Sequence, residues 1–248
     1  MSIWLYSILS VFLVSLISLI GVFTLAISDK LLRKILLFLV SFAVGALFGD
    51  AFIHLLPQAF ESSGFRLSTS IYVLFGILIF FILEKFLRWR HCHDINCQEH
   101  SKHLVVMNLV GDAVHNLIDG MLIGASYQVS ISLGIATTTA IIFHEIPQEI
   151  GKFGVLVHAG LKVKRALFLN FLSALVAIFG TASSLLLGPY ISGFTTSLIP
   201  ITAGGFIYIA GSDLIPELHR EEKPWSSFAQ LIFITGGLGI MILLTIVE

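Results

Sequence analysis

The sequence predicts an all-α integral membrane protein with eight transmembrane helices, and three observations support this fold class. Hydrophobic residues make up 56% of the 248 residues, charged residues make up 12%, and the mean hydropathy is +0.97. A soluble domain of this size is far less apolar. Apolar stretches of about 20 residues, the length of helix that crosses ~30 Å of hydrocarbon, recur along the whole chain. The sequence lacks the alternating polarity that a transmembrane β-barrel requires.

Polar segments and breaks that contain Gly or Pro divide the chain into the predicted spans. The first apolar run has no basic segment before it, and it is too long for a cleaved signal peptide. The connections are short apart from one loop, RHCHDINCQEHSKH, so we expect a single transmembrane domain over residues 1–248. The spans are residues 3–27, 35–60, 69–89, 104–126, 131–158, 166–188, 198–218 and 226–247, with the loop at 90–103.

Basic residues are distributed unevenly between the two sides of the membrane. Of 14 Lys and Arg residues, 12 lie in or beside the loops after spans 1, 3, 5 and 7, whereas Arg66 is on the other side and Lys152 is within span 5. Because cytoplasmic loops are rich in Lys and Arg, both termini are predicted to be extracytoplasmic, and we expect a multi-pass protein of the cell (plasma) membrane. The formal net charge of −1 gives no indication of nucleic-acid binding.

Two pairs of similar pentapeptides indicate an inverted repeat. His54-Leu-Leu-Pro-Gln in span 2 resembles Asp213-Leu-Ile-Pro-Glu in span 7, and His115-Asn-Leu-Ile-Asp in span 4 resembles His144-Glu-Ile-Pro-Gln in span 5. The members of each pair run in opposite directions in the predicted topology. Transporters are often built from two halves of opposite orientation. The pattern therefore predicts that spans 1–3 are repeated as spans 6–8 around a central pair, spans 4 and 5.

Ionisable residues inside the predicted spans concentrate in spans 4 and 5. Each of them costs a few kcal/mol in a bilayer, so a cluster indicates function more than a network that merely joins helices. Residues three or four apart share a helix face, so the two sets can converge. Imidazole and carboxylate ligands suit Zn²⁺, and also Fe²⁺, Mn²⁺ or Cd²⁺. The ionisable residues, together with the neutral amides Asn116 and Gln148 on the same two central spans, are Asp112, His115, Asn116 and Asp119 in span 4, His144, Glu145, Gln148, Glu149 and Lys152 in span 5, Asp50 and His54 in span 2, and Asp213 and Glu217 in span 7.

Two features allow more than one interpretation. Lys152 is expected to snorkel, to pair with Glu149 or Asp119, or to lie in a water-filled vestibule. The 90–103 loop is predicted to be cytoplasmic, and its density of Cys and His can capture transition metals, although a solvated linker that is rich in histidine explains it equally well. The accessory candidates in this loop are His91, Cys92, His93 and Cys97.

The polar motifs resemble those of the ZIP (Zrt-, Irt-like) family of divalent-metal transporters. HNLIDG (115–120) followed by HEIPQE (144–149) carries most of the resemblance, and the nearest subfamily has HEIPHE in the fifth helix. The resemblance implies an inverted-repeat bundle, commonly a homodimer, that moves metal toward the cytoplasm. It implies that the metal is held by His115, Asn116, Asp119, His144, Glu145, Gln148 and Glu149.

Two positions depart from the subfamily pattern. This chain has Gln148 where the subfamily has His or another strong ligand, and Lys152 where it has Asp. If relatives hold two ions, the loss of a ligand at position 148 leaves one ion, shifts the ion preference or weakens the affinity.

Three functions are compatible with these residues. The favoured one is secondary transport of Zn²⁺ or a similar ion as substrate, without ATP, since the sequence has no Walker motif. An intramembrane zinc metalloenzyme is the first alternative, because HEIPQE resembles HExxH, although Gln148 replaces the second histidine. A metal sensor that uses the 90–103 loop is the second alternative. We expect a transporter and not an enzyme, with Asp50, His54, Asp112, Asp213 and Glu217 as accessory or pathway residues.

Overall fold

In the computed structural model, which describes residues 3–88, 98–219 and 224–246, every secondary-structure element in those ranges is a helix. The predicted all-α class is therefore confirmed. When segments that follow one another without a break are joined, the described residues form eight helices. These are α1 (Ile3–Thr24), α2 (29–63), α3 (Leu67–Arg88), α4 (Gln98–Val129), α5 (Ile131–His158), α6 (Val163–Leu187), α7 (Phe194–Leu218) and α8 (Pro224–Ile246).

Six of these helices, all except α4 and α5, are long and apolar enough to cross a membrane, so the chain is a multi-pass membrane protein. α4 and α5 have 32 and 28 residues and are also long enough, at about 48 and 42 Å. They fall outside the six because they carry the polar residues of spans 4 and 5. α4 begins at Gln98, so the end of the predicted 90–103 loop is helical. His91, Cys92, His93 and Cys97 lie outside the described residues.

The two polar helices lie at the centre of the bundle. α4 contacts α5, α6, α7 and α1, while α5 contacts α4, α2, α1 and α6. Polar side chains of α4 and α5 are consequently covered by apolar helices. Among the outer helices, α2 packs mainly against α8, and α3 packs mainly against α7.

Three helix pairs cross at glycines that permit close backbone approach. At each crossing, a Cβ atom added to either glycine would overlap a backbone carbonyl oxygen of the other helix. Small residues of this kind bring membrane helices together, because association in lipid depends on packing more than on the hydrophobic effect. The pairs are Gly45 with Gly237 (α2 and α8), Gly76 with Gly204 (α3 and α7), and Gly120 with Gly180 (α4 and α6).

α2 and α7 each contain a π-helical segment in the same place relative to a proline. The segments are Asp50–Leu55 and Ile209–Leu214, and Pro57 and Pro216 follow two residues after their ends. Proline has no backbone N–H, so the carbonyl four residues before it has no α-helical donor. A π turn accommodates this interruption inside a helix, and such turns are frequent at functional sites.

Candidate metal centre

Four polar side chains from α4 and α5 come together in the centre of the bundle. His115 and Asp119 lie one turn apart on α4, so they share a face, and His144 and Glu145 are adjacent on α5. One ligand atom from each residue lies within 4.8 Å of the others. We call these four residues the histidine cluster.

The ligand atoms of the histidine cluster form a closed ring. His115 Nε2 lies 3.5 Å from Asp119 Oδ2 and 3.2 Å from Glu145 Oε1. His144 Nε2 lies 3.3 Å from the same Asp119 oxygen and 3.6 Å from the same Glu145 oxygen. Four ligands in a tetrahedron with bonds of about 2.1 Å to Zn²⁺ are about 3.4 Å apart. The four sides of the ring therefore match the spacing of a tetrahedral zinc site.

The same atoms are buried and lack hydrogen-bond partners. His115 Nε2, His144 Nε2, Glu145 Oε1 and both carboxylate oxygens of Asp119 are without a partner in the part of the chain that the structure describes. A buried polar atom without a partner is costly, and a charged one more so. Such a concentration of ligand atoms indicates that a cation is their intended partner.

The orientation of His144 is fixed by a hydrogen bond on the far side of its ring. His144 Nδ1 lies 3.2 Å from the carbonyl oxygen of Ala140, one turn earlier on α5. A carbonyl oxygen only accepts hydrogen bonds, so Nδ1 carries the hydrogen and Nε2 presents a lone pair to the cluster. This arrangement is typical of metal-binding histidines, whose second nitrogen is held by an outer partner.

Phenylalanine rings from α3 and α7 cover the two histidines. Phe80 makes an edge contact with His115 at a centroid distance of 6.0 Å, and Phe206 contacts His144 at 6.1 Å. Both rings are buried. Within this apolar cover, the side chain of His115 is 14% exposed, whereas the other three side chains of the cluster are at most 2% exposed. His115 is therefore the least buried side chain of the cluster, although its Nε2 atom is itself buried.

A second group of charges, which we call the lysine cluster (Asp112, Glu149 and Lys152), adjoins the first. Lys152 Nζ pairs directly with Asp112 Oδ1 and donates a hydrogen bond of 3.2 Å to Glu149 Oε1. It also lies 3.9 Å from Glu145 Oε2. The expected pairing of Lys152 with Glu149 is confirmed. The described ion pairs of Lys152 do not include Asp119, and they add Asp112, which the sequence did not suggest as its partner.

Two residues of α6 that sequence reasoning missed hold the lysine cluster in place. Asn170 Nδ2 donates a hydrogen bond to Glu149 Oε2 and another, of 3.1 Å, to the Ser18 carbonyl of α1. Ser173 Oγ donates to Asp112 Oδ2 at 2.5 Å. The available signal was two polar residues three apart in an apolar helix, which places them on one face.

The remaining candidates are distributed around these clusters. Asn116 is buried and donates to Asp112 Oδ1 at 3.1 Å, so it faces the lysine cluster. Gln148 is half-buried, and its amide takes part in none of the hydrogen bonds found among the described residues. In the π turn of α2, Asp50 Oδ1 and His54 Nδ1 are buried and 3.3 Å apart. On α7, Asp213 is half-buried and Glu217 is exposed.

Comparison with known proteins agrees with the sequence motifs. The family profile described as ZIP Zinc transporter matches residues 1–105 and 91–245. Zinc transporter SLC39A7 of Homo sapiens is 31% identical over 304 residues, which cover 87% of this chain and 65% of that protein. Zinc transporter zipt-7.1 of Caenorhabditis briggsae is 32% identical, with 85% of this chain and 71% of that protein covered.

Zinc transporter ZIP13 of Pongo abelii is 33% identical over 222 residues, which cover 84% of this chain and 66% of that protein. The chain thus spans about two thirds of the length of these relatives, and slightly less than that for SLC39A7. The resemblance to the ZIP family is confirmed. This chain belongs to the ZIP zinc transporter family, which consists of transporters and not of enzymes.

Proposed function

We propose that this protein carries Zn²⁺, or a similar divalent transition metal such as Fe²⁺, Mn²⁺ or Cd²⁺, across a membrane toward the cytoplasm. The observation that carries the proposal is the ring of four unpartnered ligand atoms in the histidine cluster, with sides of 3.2 to 3.6 Å. Two imidazoles and two carboxylates are the ligands that zinc and its neighbours prefer. The three relatives compared above are each named as zinc transporters.

The proposed transport site lies between two halves of the chain that are related as an inverted repeat. His54 and Asp213 hold the same place in the two π turns of α2 and α7. The main packing pairs also exchange under the proposed symmetry, because α2 on α8 becomes α7 on α3, and α4 on α6 becomes α5 on α1. This correspondence supports two halves, α1–α3 and α6–α8, around α4 and α5. Opposed halves of this kind allow a site at the membrane midplane to open to either side.

The ion path continues on both sides of the histidine cluster. The π turn of α2 contacts α5 and α7. The Asp50–His54 pair and Asp213 are therefore candidate binding positions for the ion on one side of the histidine cluster. Asn116, which donates a hydrogen bond to Asp112, and Glu149, which belongs to the lysine cluster, are candidate ligands on the other side of the histidine cluster. Gln148 lies one turn after His144 and contributes a neutral oxygen if it reaches the ion.

The orientation of the helices in the membrane is inferred from the charge distribution. With Lys and Arg on the cytoplasmic side, α4 runs outward and α5 inward, so the lysine cluster lies between the histidine cluster and the cytoplasm. We propose the cell membrane as the location and the homodimer as the assembly. Surface labelling of tagged termini in intact cells tests the first, and cross-linking in native membranes tests the second.

The central test is zinc flux in liposomes that contain the purified protein and a trapped zinc-sensitive dye. The wild-type signal is expected to rise after external Zn²⁺ is added, and His115→Ala is expected to abolish the rise because it removes one of the four ligands of the histidine cluster. His158→Ala is the matched control, since His158 is an exposed histidine of α5 and lies outside the cluster. Equal flux in His115→Ala and wild-type liposomes would contradict the proposal.

A further inference from the structure

The lysine cluster has the composition of a cation site that already contains a cation. Asp112, Glu145 and Glu149 surround Lys152 Nζ, and all three carboxylates are buried. Their formal charge is −3, and one ammonium group balances a third of it. Two negative formal charges remain without a cation, and uncompensated charge is costly in a membrane interior.

The carboxylates are held in position by groups other than Lys152. Ser173 donates to Asp112, Asn170 donates to Glu149, and Asn116 also donates to Asp112. These donors are neutral, so they fix the geometry without reducing the net charge. The oxygen ligands would therefore remain in place around any cation that replaced the ammonium group.

A second observation points to a ligand at the same place. The side-chain oxygens of Asn116 and Asn170 are buried and have no hydrogen-bond donor among the described residues. Each amide bonds through its nitrogen to a carboxylate of the lysine cluster. Amide and carboxylate oxygens together are ligands for a divalent cation.

Glu145 connects this group to the histidine cluster. Its Oε1 lies 3.2 Å from His115 Nε2, while its Oε2 lies 3.9 Å from Lys152 Nζ. A cation in the histidine cluster and the ammonium group would thus share one carboxylate. With one divalent ion and the ammonium group present, the formal charges of Asp112, Asp119, Glu145 and Glu149 are balanced to within one unit.

We propose that the Lys152 ammonium group is a tethered cation that fills a second cation site, so that this centre holds one divalent ion, and that removal of the ammonium group opens the site to a second divalent ion. The proposal rests on the metal-binding role of the histidine cluster in the proposed function. When Lys152 is replaced by a neutral residue, two divalent ions would balance the formal charge of the same four carboxylates fully. The ammonium group and the second ion are therefore alternatives.

The test counts zinc bound by detergent-purified protein. Each variant is equilibrated with Zn²⁺, and the metal is measured by plasma mass spectrometry. Every count is taken relative to the chain that keeps Lys152 and carries His115→Ala and His144→Ala, which subtracts zinc held outside both clusters. Wild-type protein is expected to hold one zinc per chain, and Lys152→Met to hold two. Lys152→Arg keeps a cation and serves as the matched control, with one zinc expected.

The outcomes separate this proposal from the proposed function. A count of two in the wild type, or of one in a folded Lys152→Met chain, overturns the tethered cation and leaves the metal centre intact. A wild-type count of zero overturns the metal centre itself. If Lys152→Met aggregates in the absence of metal, its recovery as a monodisperse peak is measured with and without Zn²⁺. This recovery is measured in Lys152→Met chains that also carry His115→Ala and His144→Ala, so that zinc in the histidine cluster cannot account for it. Recovery that depends on zinc then supports a second zinc site, and equal loss in both conditions overturns it.

Discussion

Replacement of His144 by alanine is expected to weaken zinc binding about 10- to 100-fold. Four-ligand zinc sites bind with about 10–16 kcal/mol, which is about 3 kcal/mol per ligand. His144 is fully buried, so its removal leaves a space bounded by Asp119 Oδ2 and Glu145 Oε1, which lie 3.3 and 3.6 Å from the lost Nε2. Water can enter such a polar space and bind the ion, which restores part of the loss. A net loss of about 1.4–2.8 kcal/mol remains, or one to two powers of ten in affinity.

The assay is a competition titration of detergent-solubilised protein against a fluorescent zinc chelator. His158→Ala, an exposed histidine at the end of the same helix, is the control and is expected to match the wild type. Zinc-dependent thermal stabilisation provides a second reading, because a ligand at 100 times its Kd stabilises the folded state by about 2.7 kcal/mol. An affinity of His144→Ala within twofold of the wild type, or an equal loss in both variants, would refute the assignment of His144 as a ligand.

Two further predictions concern Gln148 and the helix crossings. Gln148→His adds an imidazole one turn from His144 on α5 and is expected to raise zinc affinity in the same titration, and no gain would place residue 148 outside the coordination sphere. Gly204→Ala places a Cβ against the Val73 carbonyl and is expected to lower the melting temperature of the solubilised protein by several degrees, whereas Gly239→Ala, which meets open space, is expected to leave it unchanged or raise it slightly. Equal melting temperatures for the two alanine variants would contradict the close crossing of α3 and α7.

The length of the apolar stretches was sufficient to predict the all-α class, and helical periodicity was sufficient to predict that the four cluster residues can meet. His115 and Asp119 are four residues apart, so any helix that contains them presents both on one face. A neighbouring helix with His144 and Glu145 then needs only to face the first. The first condition is local to α4. The second is expected because the polar faces of helices in a bilayer turn toward the interior of the bundle.

The pairing of Lys152 with Asp112 was beyond sequence reasoning for a physical reason. The Lys152–Glu149 pair lies within one helix turn and was predictable, but the Lys152–Asp112 pair depends on how far α4 is shifted along α5. Asn170 and Ser173 depend in addition on how α6 is rotated against α4 and α5. Such relative shifts are set by packing at contacts like Gly120 with Gly180. The sequence of one helix alone does not show how far it is shifted along its neighbour.

The polarity of α4 and α5 explains both the architecture and the chemistry of this protein. Of the eight described helices, α4 and α5 are the two that are too polar to be recognised as membrane spans from their composition. They are also the helices that carry both charged clusters. α4 contributes three ionisable groups to these clusters and α5 contributes four. Such helices are stable in lipid only when other helices surround them, which the six apolar helices do. The central position then removes water from the ligands, so electrostatic interactions with an entering cation are stronger than in solvent. Shielding of the polar helices and tight binding of the metal are therefore consequences of the same arrangement.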